Sequence, residues 1–228
     1  MGRCDICANS SVKCPYPLRR DGSCYTYVSP SSLTRHNFSA IIATVKPETL
    51  NDVLNTYRSY GHRAYGESVT ELQHALQCAA FAQQAGEPPV VIAAALLHDY
   101  GHLCHNLGED VAERGVDARH EILGAKLLKD LFCDEIVDAG RLHVPAKRYL
   151  CWKEAGYFDS LSDASKISLE LQGGPMTDAE AKKFESEPHF ELAVRIRRYD
   201  DMGKVPDMQT PDLDSYRPLL EGFVRRVA

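Results

Sequence analysis

The 228-residue sequence predicts an all-α fold: a single globular helical bundle preceded by an extension. Three observations point there. From residue 46 onward, apolar residues recur at helical spacing in one segment after another. Those segments open on Pro, Ser or Thr and close on Gly, the residues that cap helices. No stretch alternates apolar and polar residues, and no Asn-Gly pair marks a hairpin among them.

The segments follow in order. "PETLNDVLNTYRSYG" opens at Pro47, puts Leu50, Val53, Leu54 and Tyr57 on one face, and stops at Gly61. Ser68 with Glu71 reads as a capping box for "VTELQHALQCAAFAQQAG", which ends at Gly86. "PPVVIAAALLHDYGHL" is apolar on nearly every side and predicts a central buried helix. "DARHEILGAKLLKDLF" is amphipathic. "CDEIVDAGRLHVPAKRYLC" carries Pro145, which predicts a break or kink near Val144. "SDASKISLELQGG" has a glycine stop, and "TDAEAKKFESEP" is short and charged. "PHFELAVRIRRYDDMGK" turns Leu192, Ile196 and Tyr199 inward, and "DLDSYRPLLEGFVRRVA" closes the chain.

Residues 1–45 lack periodicity and are rich in Ser, Pro, Cys and Arg. Cys4 and Cys7 have zinc-knuckle spacing, but Cys14 and Cys24 do not supply the matching second pair. The segment reads as a poorly ordered extension (1–45) to the bundle (46–228). Cys78, Cys104, Cys133 and Cys151 lie in apolar helical text and read as reduced, packed thiols. The formal charge is −6, without a dense Lys/Arg run, which argues against nucleic acid as a partner. No apolar run approaches the ~18 residues of a membrane span. The N-terminus lacks the apolar core of a secretory signal, so the expected location is cytoplasmic.

The chemistry sits in a distributed set: His74, His98-Asp99, His120, His143 and Asp200. Each alone reads as a satisfied core side chain. Together they place one His on each of four successive helices, one with Asp attached, and a distal acid in "YDD". Helical bundles build metal centres in this way, projecting a ligand or two per helix into a shared interior.

The order His, His-Asp, Asp resembles the HD-domain superfamily of helical metalloproteins, most of them phosphohydrolases. His120 and His143 point to its two-metal branches. "YGESVTELQH", "HVPAKRYLC", "SKISLELQGGPM" and "RIRRYDD" narrow the resemblance to the mixed-valent diiron oxygenases of organophosphonate breakdown, over about Tyr65 to Lys204. That resemblance implies one iron held by His74, His98, Asp99 and Asp200, and a second by Asp99, His120 and His143. It implies a mixed-valent Fe(II)/Fe(III) pair, O2 as co-substrate, and C–P cleavage of a 1-hydroxy-2-(trimethyl)aminoethylphosphonate-type molecule to phosphate and glycine or betaine. His102, Lys147, Ser165 and Arg197 match the family positions that bind the phosphonate, and Tyr65 with Glu67 those of a lid over the iron.

Tyr149, Trp152, Tyr157 and Phe158 could face a quaternary amine or be core. The small organophosphonate is the expected partner, and the expected state is a monomer or small homo-oligomer. Three other readings remain at this point. One is an HD phosphohydrolase of nucleotides or phosphomonoesters, with the same ligands activating water. The others are an inositol-oxygenase-like diiron enzyme and a helical binding module that has kept its metal ligands.

Overall fold

The computed structural model describes residues 46–65, 68–105, 107 and 114–225. The extension with its four cysteines, and Glu67, lie outside the described residues. The described residues form ten α-helices and, as strand-like pairing, only the isolated bridges Ala64–Thr70 and Phe132–Val224. The helices are α1 (Leu50–Tyr60), α2 (Glu71–Gln84), α3 (Pro89–Leu97), α4 (His120–Leu128), α5 (Asp134–Lys153), α6 (Tyr157–Ser160), α7 (Asp163–Leu171), α8 (Asp178–Phe184), α9 (Phe190–Met202) and α10 (Arg217–Glu221). Among the described residues no helix is long and apolar enough to cross a membrane.

Two apolar clusters organise the bundle. The larger one gathers Val53 and Leu54 of α1, Cys78 and Ala79 of α2, nearly all of α3, Ile136 and Ala139 of α5, and Ile196 of α9. The smaller gathers Leu142, Ala146 and Leu150 of α5 with Leu161, Leu169, Phe184 and Ala193. Helices α5 and α9 run through both, so residues near their middles lie where the clusters meet. His143 of α5 is one of these, flanked by Ala139 of the first cluster and Ala146 of the second.

Local signals explain most boundaries. Thr49 caps α1 in a reciprocal box with Asp52, and Thr177 caps α8 with Glu180. Two expectations are corrected. The box that starts α2 is Thr70 with Gln73, not Ser68 with Glu71. Ser68 has φ +65°, a left-handed turn residue outside the helix. Pro145 does not break the chain: α5 runs unbroken from Asp134 to Lys153. A proline inside a helix costs about 3 kcal/mol. Burial of Ile136, Leu142, Val144, Ala146 and Leu150 on both sides of it outweighs that local preference.

The central helix α3 is as apolar as expected, with Val91 to Leu97 all buried. It ends at Leu97, and a 3₁₀ turn takes over from Tyr100 to Cys104. Gly101 in that turn packs on the backbone of His120 and Gly124, where any Cβ would collide with the His120 carbonyl. This contact brings the start of α4 against the end of α3.

Candidate metal centre

Neighbouring residues of an α-helix point about 100° apart and do not face a common point. His98 and Asp99 do share one, because the helix ends between them. His98 is the last residue with helical angles, while Asp99 adopts φ −100°, ψ 14° and starts the 3₁₀ turn. His74 comes from the first turns of α2, His143 from the interior of α5, and Asp200 from the end of α9. Arg119, at φ +49°, turns the chain sharply so that His120 opens α4. All six side chains are buried.

Their polar atoms form two triangles around one carboxylate. His74 Nε2 and His98 Nε2 lie 3.3 Å apart, and each is 3.3 Å from Asp99 Oδ2. His120 Nε2 and His143 Nε2 lie 3.1 Å apart, and each is 3.3 Å from Asp99 Oδ1. Asp200 joins the first triangle, with Oδ1 3.7 Å from His74 Nε2 and Oδ2 3.9 Å from His98 Nε2.

The tautomers identify what these atoms offer. His74 Nδ1 lies 2.8 Å from the Gly203 carbonyl, His98 Nδ1 2.8 Å from that of Ala95, and His143 Nδ1 2.7 Å from that of Gly140. A carbonyl only accepts, so each of these Nδ1 atoms donates its proton and each Nε2 is left as the atom that can present a lone pair to a metal. Lone pairs and carboxylate oxygens therefore converge from several sides, and Asp99 Oδ1 is buried with no hydrogen-bond partner. Such an arrangement is repulsive without a cation. Its size also fits one. A point equidistant from three atoms 3.3 Å apart is about 1.9 Å from each, close to the roughly 2.0–2.2 Å reach of imidazole and carboxylate ligands to a transition metal.

Electrostatics agree. Burial alone would lower His98, but Asp99 and Asp200 more than offset it and raise the ring to about 9. Burial lowers His143 to about 4 and holds His120 well below its ordinary value. Burial would raise both carboxyls, yet the neighbouring cationic groups, His98 beside Asp99 and Arg197 beside Asp200, keep them well below the usual range. A metal ion at the first triangle would take the place of the proton on His98.

The sulfur of Cys78 is near but differently placed. It lies 3.6 Å from His74 Nε2 and 3.8 Å from Nδ1, nearly equidistant from both and so off the line of the Nε2 lone pair. It bonds the Tyr199 carbonyl, and burial keeps it a thiol. Gly203 leaves no room for a Cβ beside that sulfur and His74, so the "MGK" glycine fixes the ring's carbonyl partner.

The other expected site residues surround the centre. Tyr65 stacks on His74 with centroids 3.8 Å apart, and its hydroxyl donates to Asp99 Oδ2 at 3.0 Å, with Asp200 Oδ1 at 3.4 Å. His102 stacks on His120 at 3.8 Å, and Asp99, His102 and His120 also lie within reach of a shared ion. Lys147 Nζ donates to Ser168 Oγ at 2.7 Å. Ser165 Oγ accepts from Lys204 Nζ at 3.1 Å. Arg197 donates from NH1 to Asp200 at 2.6 Å, from Nε to the Tyr157 hydroxyl at 3.1 Å, and from NH2 to Asp201. These bonds use three of its five N–H groups.

The structure adds Lys204, Ser168 and Asp201 to this surround. Lys204 also lies 5.9 Å from the centre of the Tyr65 ring. Nothing in local spacing singled it out, since it reaches Ser165 across 39 residues. Of the aromatic group after His143, Tyr149 packs in the smaller apolar cluster with Trp152 against it. Trp152 bonds Asp178, and Phe158 is exposed. These three do not gather around the metal centre, whereas Tyr157 reaches its surround through Arg197.

The two triangles differ in what they lose with each ligand. His120→Ala is expected to keep one ion and lose the other, whereas Asp99→Ala should lose both. Metal analysis of the purified variants checks this. Two ions retained per His120→Ala chain would show that the second triangle is not a metal position.

Residues 72–178 match the HD domain family. The chain is 43% identical to hydroxymethylphosphonate dioxygenase of Gimesia maris, over 76% of this chain and 87% of that protein. It is also 43% identical to the glycine-betaine-forming [1-hydroxy-2-(trimethylamino)ethyl]phosphonate dioxygenase of Leisingera caerulea, over 70% of this chain and 81% of that one. An uncharacterized protein of Acanthamoeba polyphaga mimivirus is 36% identical over 76% of this chain and 80% of its own. With its His and Asp triangles on the HD-domain helices and this identity over most of its length, the chain belongs to the HD-domain family of phosphonate dioxygenases.

Proposed function

We propose that this protein is an O2-dependent diiron dioxygenase that cleaves the C–P bond of a 1-hydroxyphosphonate, releasing phosphate and a carboxylic acid. The observation that carries the reading is Asp99, whose two oxygens each face a separate pair of imidazole nitrogens. The two named dioxygenases support the substrate class: both names describe a phosphonate with a hydroxyl on the carbon that bears phosphorus. One molecule each of substrate and O2 balances to one carboxylate and one dihydrogen phosphate.

On this reading His74, His98, Asp99 and Asp200 hold one iron, and Asp99, His120 and His143 the other. The imidazole and carboxylate donors suit iron. A mixed-valent Fe(II)/Fe(III) pair would supply the electron steps by which O2 attacks the hydroxylated carbon. The protein's own part is binding and orientation. Lys147, Ser165, His102 and the remaining N–H groups of Arg197 form the phosphonate seat, with fixed donors for a dianion. Tyr65, bonded to Asp99 and stacked on His74, covers the first triangle and must withdraw when substrate enters. The substrate is a free small molecule, and the reading includes a cytoplasmic location for a monomer or small homo-oligomer. The free thiols of Cys78, Cys133 and Cys151 suit a reducing compartment.

Lys147 gives this seat a pH dependence. Burial, and after it the Arg197 guanidinium, lowers its ammonium to about 7. The charge that binds the phosphonate is present below that value and lost as pH rises through it, while bound dianion moves the transition upward. KM is therefore expected to climb on the alkaline side in the wild type and to flatten in Lys147→Arg, whose side chain stays charged. Lys147→Ala should raise KM about 10-fold or more with metal content intact. Loss of metal from Lys147→Ala would contradict the assignment.

The reaction itself is tested with iron-loaded protein and three substrates: hydroxymethylphosphonate, 2-amino-1-hydroxyethylphosphonate and its trimethylamino analogue. Phosphate should appear from at least one of them when O2 is admitted and from none without it. Anaerobic hydrolysis of phosphate esters, with no O2 uptake on any phosphonate, would make the protein an HD phosphohydrolase instead.

A further inference from the structure

The four imidazoles of the centre are not held alike. His74, His98 and His143 each have Nδ1 fixed by a backbone carbonyl. Among the described residues, His120 has no such carbonyl. The group facing its Nδ1 is the carboxylate of Glu121, with Oε2 at 3.9 Å. Glu121 is only 8% exposed, and Oε2 is buried without a hydrogen-bond partner. A buried carboxylate oxygen without a donor is unfavourable unless the working state of the site provides one.

The His120 ring therefore has an orphaned oxygen at each end. Asp99 Oδ1 lies 3.3 Å from Nε2, and Glu121 Oε2 lies 3.9 Å from Nδ1. One protonation state suits both. With the proton on Nδ1, the ring points a donor at Glu121 Oε2, about 1 Å beyond hydrogen-bond length in this structure, so a small shift closes the bond while Nε2 offers its lone pair to a cation shared with Asp99. The opposite tautomer would leave Glu121 unpaired and put a proton where the ion belongs. Adjacent residues can cooperate here because both lie in the first turn of α4, just after the left-handed Arg119.

We propose that Glu121 is a positioning residue for the second metal position: it accepts the Nδ1 proton of His120 and holds Nε2 towards the ion shared with Asp99 and His143. Carboxylates behind metal-bound histidines act in this way, fixing the tautomer and raising ligand basicity. The inference rests on the two-ion reading above.

The test is a titration of metal-free protein with Mn(II), followed by EPR and by the thermal unfolding midpoint. The wild type should bind two Mn(II) ions and give an exchange-coupled spectrum, because the ions share Asp99. Glu121→Leu fills the same space without an acceptor. It should keep the first ion and the unfolding midpoint, and bind the second about 10- to 100-fold more weakly. At intermediate Mn(II) it should give the spectrum of an isolated ion. Glu121→Gln, which keeps an acceptor oxygen, should recover part of the loss. Wild-type affinity for both ions in Glu121→Leu would overturn the proposal, and so would parallel weakening at both positions with a lower unfolding midpoint. Uptake of a single ion by the wild type would refute the two-ion reading, and the role of Glu121 with it.

Discussion

A single carboxylate, Asp99, sits between two pairs of imidazole nitrogens, and much of the surrounding structure serves that position. Four imidazole nitrogens and a second carboxylate crowded around one buried anion are unfavourable in a protein interior of low dielectric constant unless a positive charge sits among them. The fold tolerates the arrangement because two compact cations would reverse its sign, turning mutual repulsion into shared coordination. The helix end at His98, the bridge-region angles of Asp99 and the absence of a side chain at Gly101 all serve to bring these groups to one point. Each is a local departure from regular helix, and each lies within three residues of the next.

The supporting shell is made largely of backbone. Three ligand rings are oriented by carbonyls from α3, α5 and the turn after α9. Helices α5 and α9 run through both apolar clusters, so the carbonyl and carboxylate groups they carry are anchored by packing at either end. Arg197 adds a charged brace, holding Asp200 and Asp201 from one turn earlier on α9. A rigid frame of this kind suits a metal centre that must keep its geometry while substrate and oxygen come and go.

The fold and the six candidate ligands were legible in the sequence for different reasons. Amphipathic spacing reports burial, so α1 and α9 lie where periodicity put them, while α3 lies in its continuous apolar run and α7 ahead of its glycine stop. Pro145 and Ser68 misled because a local preference was read without its tertiary setting. Packing carries α5 across the proline, and a left-handed turn moves the α2 cap from Ser68 to Thr70. His74, His98, Asp99, His120, His143 and Asp200 stood out as chemically matched residues, one or two per helix. Lys204 and Glu121 did not. Lys204 reaches the site across a long stretch of chain, and Glu121 matters through which nitrogen of its neighbour carries a proton. The carbonyls of Ala95, Gly140 and Gly203 have no residue signature at all.

The most direct measurement is a crystal structure of the iron-loaded protein with anomalous diffraction collected at the iron edge. The account predicts two iron peaks on opposite sides of the Asp99 carboxylate, one bordered by His74, His98 and Asp200 and the other by His120 and His143. A single peak, or two peaks that do not share Asp99, would contradict it.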